Sequence, residues 1–138
     1  MSMKLRRLLA LTLLTGILAA ACSQQPGGAR RGGEMEDRGA QIYLQNCVPC
    51  HKENGAGVRK VYPSLAGSPA VLGDAGELAR WILSQKRPDS IPAGRYPTQM
   101  LPFGWMKDAD VAALLTYIRS SFGNAAPPVD AATIAQAR

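Results

Sequence analysis

The stretch "NCVPCHKENGAG", residues 46–57, brings Cys47, Cys50 and His51 together, and His51 is the only histidine of the 138-residue chain. A Cys-x-x-Cys pair with His directly after it narrows what the chain can fold around. Such a triplet suits a zinc ion, a disulfide or a covalently attached haem.

The three readings differ in what else they require. A structural zinc needs four ligands, as a rule with a second Cys or His pair. Beyond the triplet only Cys22 remains, and it falls at the end of an export signal. Adjacent Cys50 and His51 are also poorly placed to face one tetrahedral ion. A redox-active Cys-x-x-Cys disulfide usually follows a strand in a βαβ unit. This one ends a helical pattern with no strand pattern before it. Haem c fits best: two thioethers tie Cys47 and Cys50 to one porphyrin, and His51 sits beneath the iron as proximal ligand. With a single His, a sixth ligand must be another side chain, and Met is a known one. Met35 lies too near the attachment point. Met100 is favoured, because the Pro-broken loop "YPTQMLPFG" suits presentation of a sulfur atom. Met106, before the last long helix, suits core filling and is the fallback.

Residues 1–21, "MSMKLRRLLALTLLTGILAAA", read as an export signal ahead of Cys22. Lys4, Arg6 and Arg7 precede an uncharged apolar run from Leu8 to Ala21, shorter than the ~20 residues of a membrane span. "LAAAC" resembles the lipobox of bacterial lipoproteins. That resemblance implies cleavage after Ala21, a lipid on Cys22 and an exported protein, periplasmic or held at the outer face of the cell membrane. Loss of residues 1–21 leaves thirteen basic against ten acidic side chains, a net of +3. No Lys/Arg block interleaved with aromatics is present, so a nucleic-acid partner is not expected.

Residues 22–33 read as the lipidated Cys and a flexible Gly/Pro-rich linker. A helix is expected over roughly Met35–Asn46, with Glu34, Glu36 and Asp37 at its positive end. Ala40, Tyr43, Leu44 and Cys47 would form its apolar face. A Gly/Pro-rich loop runs from His51 to about Gly73. Asp74 and Glu77 make an N-cap pattern. The helix after it aligns Leu78, Trp81, Ile82 and Gln85. The clearest helix starts near Asp108, with Val111, Leu114, Leu115, Ile118 and Phe122 on one face. Gly123 and Asn124 read as stop signals. Residues 125–138 read as a C-terminal tail in which Asp130 caps a last short turn. Three main helices with loops this long bury little apolar surface by themselves, and a large buried cofactor removes that difficulty.

Over residues 34–124 the chain resembles the class I c-type cytochromes. "GAQIYLQNCVPCHKENGAGV" is similar to their first helix and haem motif, and "MLPFGWMKDADVAALLTYIRSSFGN" to their methionine loop and last helix. The family's Met-Pro pair is here Met100-Leu101-Pro102. The resemblance implies an all-α cytochrome c fold, three main helices and long loops wrapped around one covalent haem. It implies that Gly39 and Tyr43 meet Tyr117 of the last helix. It implies that Pro63 in "YPSLAG" accepts the Nδ1 proton of His51, and that Leu65 packs on the haem.

Among the remaining residues, Trp81 suits either core packing or contact with the haem. Arg95, with Tyr96, suits a hydrogen bond to a propionate. Lys52, Arg59, Lys60, Lys86 and Arg87 suit a solvated surface or a docking face. The expected function is one-electron transfer between protein partners, by a tethered carrier rather than an enzyme, with no small-molecule substrate. A dedicated cytochrome subunit of a dehydrogenase or respiratory complex is the alternative. A haem-based gas sensor or peroxidase-like enzyme is the third reading, and it needs an open sixth position.

Overall fold

The computed structural model describes residues 27–91 and 96–138, with side chains from Gly33 onward. The expected signal segment, Cys22 and Arg95 lie outside the described residues. Among the described residues six helices follow in order: α1 Gly27–Asn46, α2 Val48–His51, α3 Pro69–Leu72, α4 Ala75–Ser84, α5 Asp108–Ser120 and α6 Ala131–Ala137. Among the described residues there is no strand, only an antiparallel bridge between Val58 and Tyr62. No described helix is long and apolar enough to cross a membrane. The fold is all-α, and α1, α4 and α5 are its three longer helices.

Helices α1 and α5 cross in close contact, and Gly39 sets the distance. A Cβ at Gly39 would stand 2.2 Å from the Ala113 carbonyl oxygen and 2.7 Å from Cβ of Tyr117. Tyr43 is fully buried beside this crossing, its ring 5.5 Å from Tyr117 and 5.2 Å from Phe122. Such tilted aromatic contacts add to the stabilisation from buried area. The expected apolar face of α1 is rotated. Ile42 and Tyr43 are buried, whereas Leu44 is 55% exposed. Gly39 has no side chain and so leaves no mark in an apolar pattern, yet it faces the partner helix.

Helix α1 begins at Gly27, inside the stretch expected to be linker. Glu34, Glu36 and Asp37 therefore stand beyond its first turn and do not face its positive end. Once α5 has fixed the segment around Gly39, extending a helix adds one hydrogen bond per residue at low cost.

Helix α5 is buried on two sides. Val111, Leu114, Leu115 and Ile118 carry the expected face, and Ala112, Ala113, Thr116 and Arg119 are buried as well. The second side is covered by residues expected to form a tail. Val129, Ile134 and Ala137 join the core, and α6 packs on both α4 and α5. The expected boundary at residue 124 therefore does not separate a domain from a tail. The Asp130 carboxylate accepts from the Thr133 N–H at 2.7 Å and caps α6, as Asp74 accepts from Glu77 N–H at 2.8 Å and caps α4.

Gly39 and Gly33 make a sharp pair. Gly39→Ala is expected to destabilise the haem-loaded protein by about 3 kcal/mol through overpacking. Gly33→Ala, with nothing within 4 Å of the added Cβ, is expected to stabilise it by about 0.5–1 kcal/mol, because Ala replaces Gly within a helix. Urea unfolding of both variants checks the contrast.

Candidate haem-binding site

Cys47, Cys50 and His51 lie on a single turn. Cys47 is the N-cap of α2, Cys50 lies within it and His51 ends it. The Cys47 N–H still donates to the Tyr43 carbonyl at 2.8 Å, so the turn continues directly from α1. After His51 the chain reverses at Lys52, whose φ is +66°. The hydroxyl of buried Tyr43 donates to the Lys52 carbonyl at 2.6 Å and fixes that reversal. Burial first, then the nearby Cys47 and Tyr117, push the Tyr43 pKa above its ordinary value, so the phenol stays protonated and keeps donating.

Both thiols are free and partly buried. Burial, with a contribution from Cys50, pushes the Cys47 pKa up to about 12. Reactive cysteines carry a lowered thiol pKa, and Cys47 departs in the opposite sense. Among the described residues no group of three or more His, Cys, Asp or Glu side chains is arranged to hold a metal ion.

His51 is buried, and its Nδ1 lies 3.0 Å from the Pro63 carbonyl oxygen. A carbonyl only accepts, so Nδ1 carries the proton and the lone pair is on Nε2. Burial lowers the His51 pKa and the bond to Pro63 partly offsets it. The imidazole is thus neutral, in one tautomer and one orientation.

The loop that delivers Pro63 carries the Val58–Tyr62 bridge and is otherwise held by single hydrogen bonds. Gly57 N–H donates to the His51 carbonyl at 2.8 Å, and Leu65 N–H to the Gly55 carbonyl at 2.7 Å. Gly57 has φ +65°, and a Cβ there would stand 2.4 Å from the carbonyl oxygens of both Tyr62 and Pro63. The Asn124 side chain closes the loop onto the end of α5. Its oxygen accepts from Gly67 N–H at 2.9 Å, and its amide donates to the carbonyls of Leu65 at 3.1 Å and Ile118 at 2.9 Å. Buried Arg119 does the same one turn earlier, donating to Val71 O at 2.6 Å, Gly73 O at 2.9 Å and Pro127 O at 3.0 Å.

The other expected site residues divide clearly. Met106 is 5% exposed and belongs to the hydrophobic core. Met100 is half-buried and packs at the edge of that core, as does Leu65. Trp81 is half-buried and is not among the side chains packed against the core cluster. Two residues in this network were not expected from the sequence to serve the site. Asn124 reads as a helix stop, and Gln85, expected on the α4 face, instead ends α4 and reaches Met100 by its side chain.

Residues 36–122 match the family model for cytochrome c. The chain belongs to the cytochrome c family. Haem c, held covalently, is the cofactor of this domain. The donor set fits that group: two free thiols and a neutral imidazole on one turn, the imidazole oriented by a backbone carbonyl. The chain is 34% identical over 92 residues to cytochrome c-552 of Thermus thermophilus, covering 63% of this chain and 70% of that protein. It is 32% identical over 100 residues to the cytochrome c subunit of alcohol dehydrogenase (quinone) from Gluconobacter oxydans, covering 69% of this chain and 20% of that subunit. It is 30% identical over 97 residues to the gluconate 2-dehydrogenase cytochrome c subunit of Pantoea cypripedii, covering 68% of this chain and 22% of the subunit. The chain thus spans about a fifth of the dehydrogenase subunits it matches.

Gly57→Ala is expected to cost about 3 kcal/mol, combining left-handed strain with displacement of the Pro63 carbonyl. It should also weaken the Nδ1–H resonance of His51 in the proton NMR spectrum of the reduced protein. Gly67→Ala has the same backbone sign, φ +65°, but open space around the added Cβ. It should cost only about 1 kcal/mol and leave that resonance in place.

Proposed function

We propose that this cytochrome c domain is a one-electron carrier, tethered to a membrane by lipid on Cys22, that passes electrons between protein partners. The observation that carries the reading is the Cys47–His51 turn with its oriented imidazole. In this reading Cys47 and Cys50 hold the haem through thioethers and His51 Nε2 is the proximal iron ligand. Haem c supplies reversible Fe(III)/Fe(II) chemistry when bound. Pro63 keeps the His51 tautomer and raises ligand basicity.

Met100 is the sixth ligand we infer. What supports it over Met106 is that the Met106 side chain is committed to the core while Met100 lies at the core's edge. Sulfur ligation raises the reduction potential and closes the iron to small ligands, which suits a carrier better than a gas sensor or a peroxidase-like enzyme. Leu65 and Trp81 are taken as apolar side chains against the haem, Trp81 because it is half-buried yet off the core. Arg95 is taken as a propionate partner on sequence grounds alone.

The visible spectra of the purified protein and of its Met100→Ala and Met106→Ala variants test the ligand set. Wild type should show the weak long-wavelength absorption of a sulfur-ligated ferric haem. Met100→Ala should lose it and bind carbon monoxide at once when reduced, while Met106→Ala keeps it and loses stability by about 2–5 kcal/mol. Rapid carbon monoxide binding by the wild type would instead favour the sensor or enzyme reading.

The tether rests on "LAAAC" ending at Cys22, behind the basic and apolar residues of the export signal. It places the domain in the periplasm or at the outer face of the cell membrane. The Cys22→Ser protein is expected to move from the membrane to the soluble fraction with its haem spectrum unchanged. Retention in the membrane would rule out lipid at Cys22 as the anchor.

A second reading is a dedicated cytochrome subunit of a dehydrogenase complex. The similarity to cytochrome c subunits of two dehydrogenases favours it. Co-purification of a dehydrogenase after gentle detergent extraction would distinguish it from a free carrier.

A further inference from the structure

Gln85 ends α4 in the left-handed conformation, with φ +63° and ψ +4°. Its N–H donates to the Trp81 carbonyl at 2.8 Å, which closes the last turn. This is the position where helices most often place Gly, because any side chain there carries backbone strain. A strained residue that is not Gly calls for a use of its side chain. The Gln85 side chain has one: its Nε2 donates to the backbone carbonyl of Met100.

The surrounding contacts give that bond its meaning. Met100 lies in the irregular stretch between α4 and α5, among whose described residues there is no helix. The segment rests on the C-terminal end of α4. Phe103 N–H donates to the Ile82 carbonyl at 2.9 Å. Gly104 comes so near that a Cβ would stand 3.0 Å from the Leu83 carbonyl oxygen. The unpaired carbonyls of a helix end thus receive a loop donor. The Ile82 bond fixes the segment at Phe103, three residues past Met100. Gln85 fixes it at Met100 itself.

We propose that Gln85 is a positioning residue for Met100: its amide holds the Met100 backbone where the sulfur meets the iron, at the cost of left-handed strain at residue 85. The proposal rests on the reading of Met100 as the sixth ligand. Holding the backbone lowers the entropy lost when the sulfur binds. Without the amide, the sulfur leaves more often and exogenous ligands enter faster.

Two substitutions separate positioning from stability. Gln85→Gly removes the amide and relieves the strain. Gln85→Leu removes the amide and keeps the strain. The haem-loaded ferric protein is mixed with saturating cyanide, so that the observed rate reports departure of the native ligand. Both variants should exchange about fivefold faster than wild type, the effect of one lost hydrogen bond. Both should also show a lower reduction potential, since weaker sulfur ligation favours Fe(III). The thermal midpoints should diverge, with Gln85→Gly at or above wild type and Gln85→Leu below it. Wild-type exchange rates and potentials in both variants would overturn the proposal while the Met100 reading stands. Absence of the sulfur signature in wild type, or its survival in Met100→Ala, would overturn that reading and this proposal with it.

Discussion

The crossing of α1 and α5 at Gly39 is the contact on which the site depends. The Gly39 backbone there meets the Ala113 carbonyl and the Tyr117 Cβ, at a separation only a hydrogen atom permits. That approach buries Tyr43 among Tyr117 and Phe122. Tyr43 in turn fixes the Lys52 carbonyl, and so the reversal that follows His51. The position of the two thiols and the imidazole is thus inherited from a helix crossing two turns upstream. A core of modest size can place a prosthetic group accurately when the crossing that builds the core also carries the attachment turn.

Away from that crossing, the irregular segments are held by individual polar side chains. Asn124 ties the Leu65–Gly67 loop to α5, and Arg119 ties the end of α3 and Pro127 to the same helix. Arg138 donates to the Gly104 and Met106 carbonyls and pairs with Asp108, fastening the approach to α5. Each satisfies backbone carbonyls that a loop cannot pair internally. Arg38 with Asp110, by contrast, is an exposed ion pair, and pairs of that kind contribute little to stability.

The sequence made the short-range features legible. The Cys47–His51 motif, the caps at Asp74 and Asp130, and the apolar repeat of α5 all lie within a few residues of what they act on. What it concealed acts over distance. Asn124 looks like a stop signal, because its partners at 65 and 67 leave no periodic trace. Gln85 reads as one more residue on a helix face, because the backbone strain at its position is invisible in a string of letters. The α1 face was misjudged at Leu44 because an apolar pattern scores side chains, and Gly39 acts through having none. The last fourteen residues looked like a tail since Val129, Ile134 and Ala137 are too sparse to announce a core helix. The pairing of His51 with Pro63 came into view only through resemblance to a family, since no spacing rule links residues 51 and 63.

Asn124 bonds to Leu65, Gly67 and Ile118 through one amide group. The loop and the end of α5 are therefore joined through a single side chain. An irregular stretch of this length would ordinarily fray on its own, at a free energy far below that of global unfolding. Here its opening must also break the two bonds from Asn124, which adds to the cost of fraying. The loop around Pro63 is thereby fastened to the core by side-chain bonds, although it contains almost no regular structure.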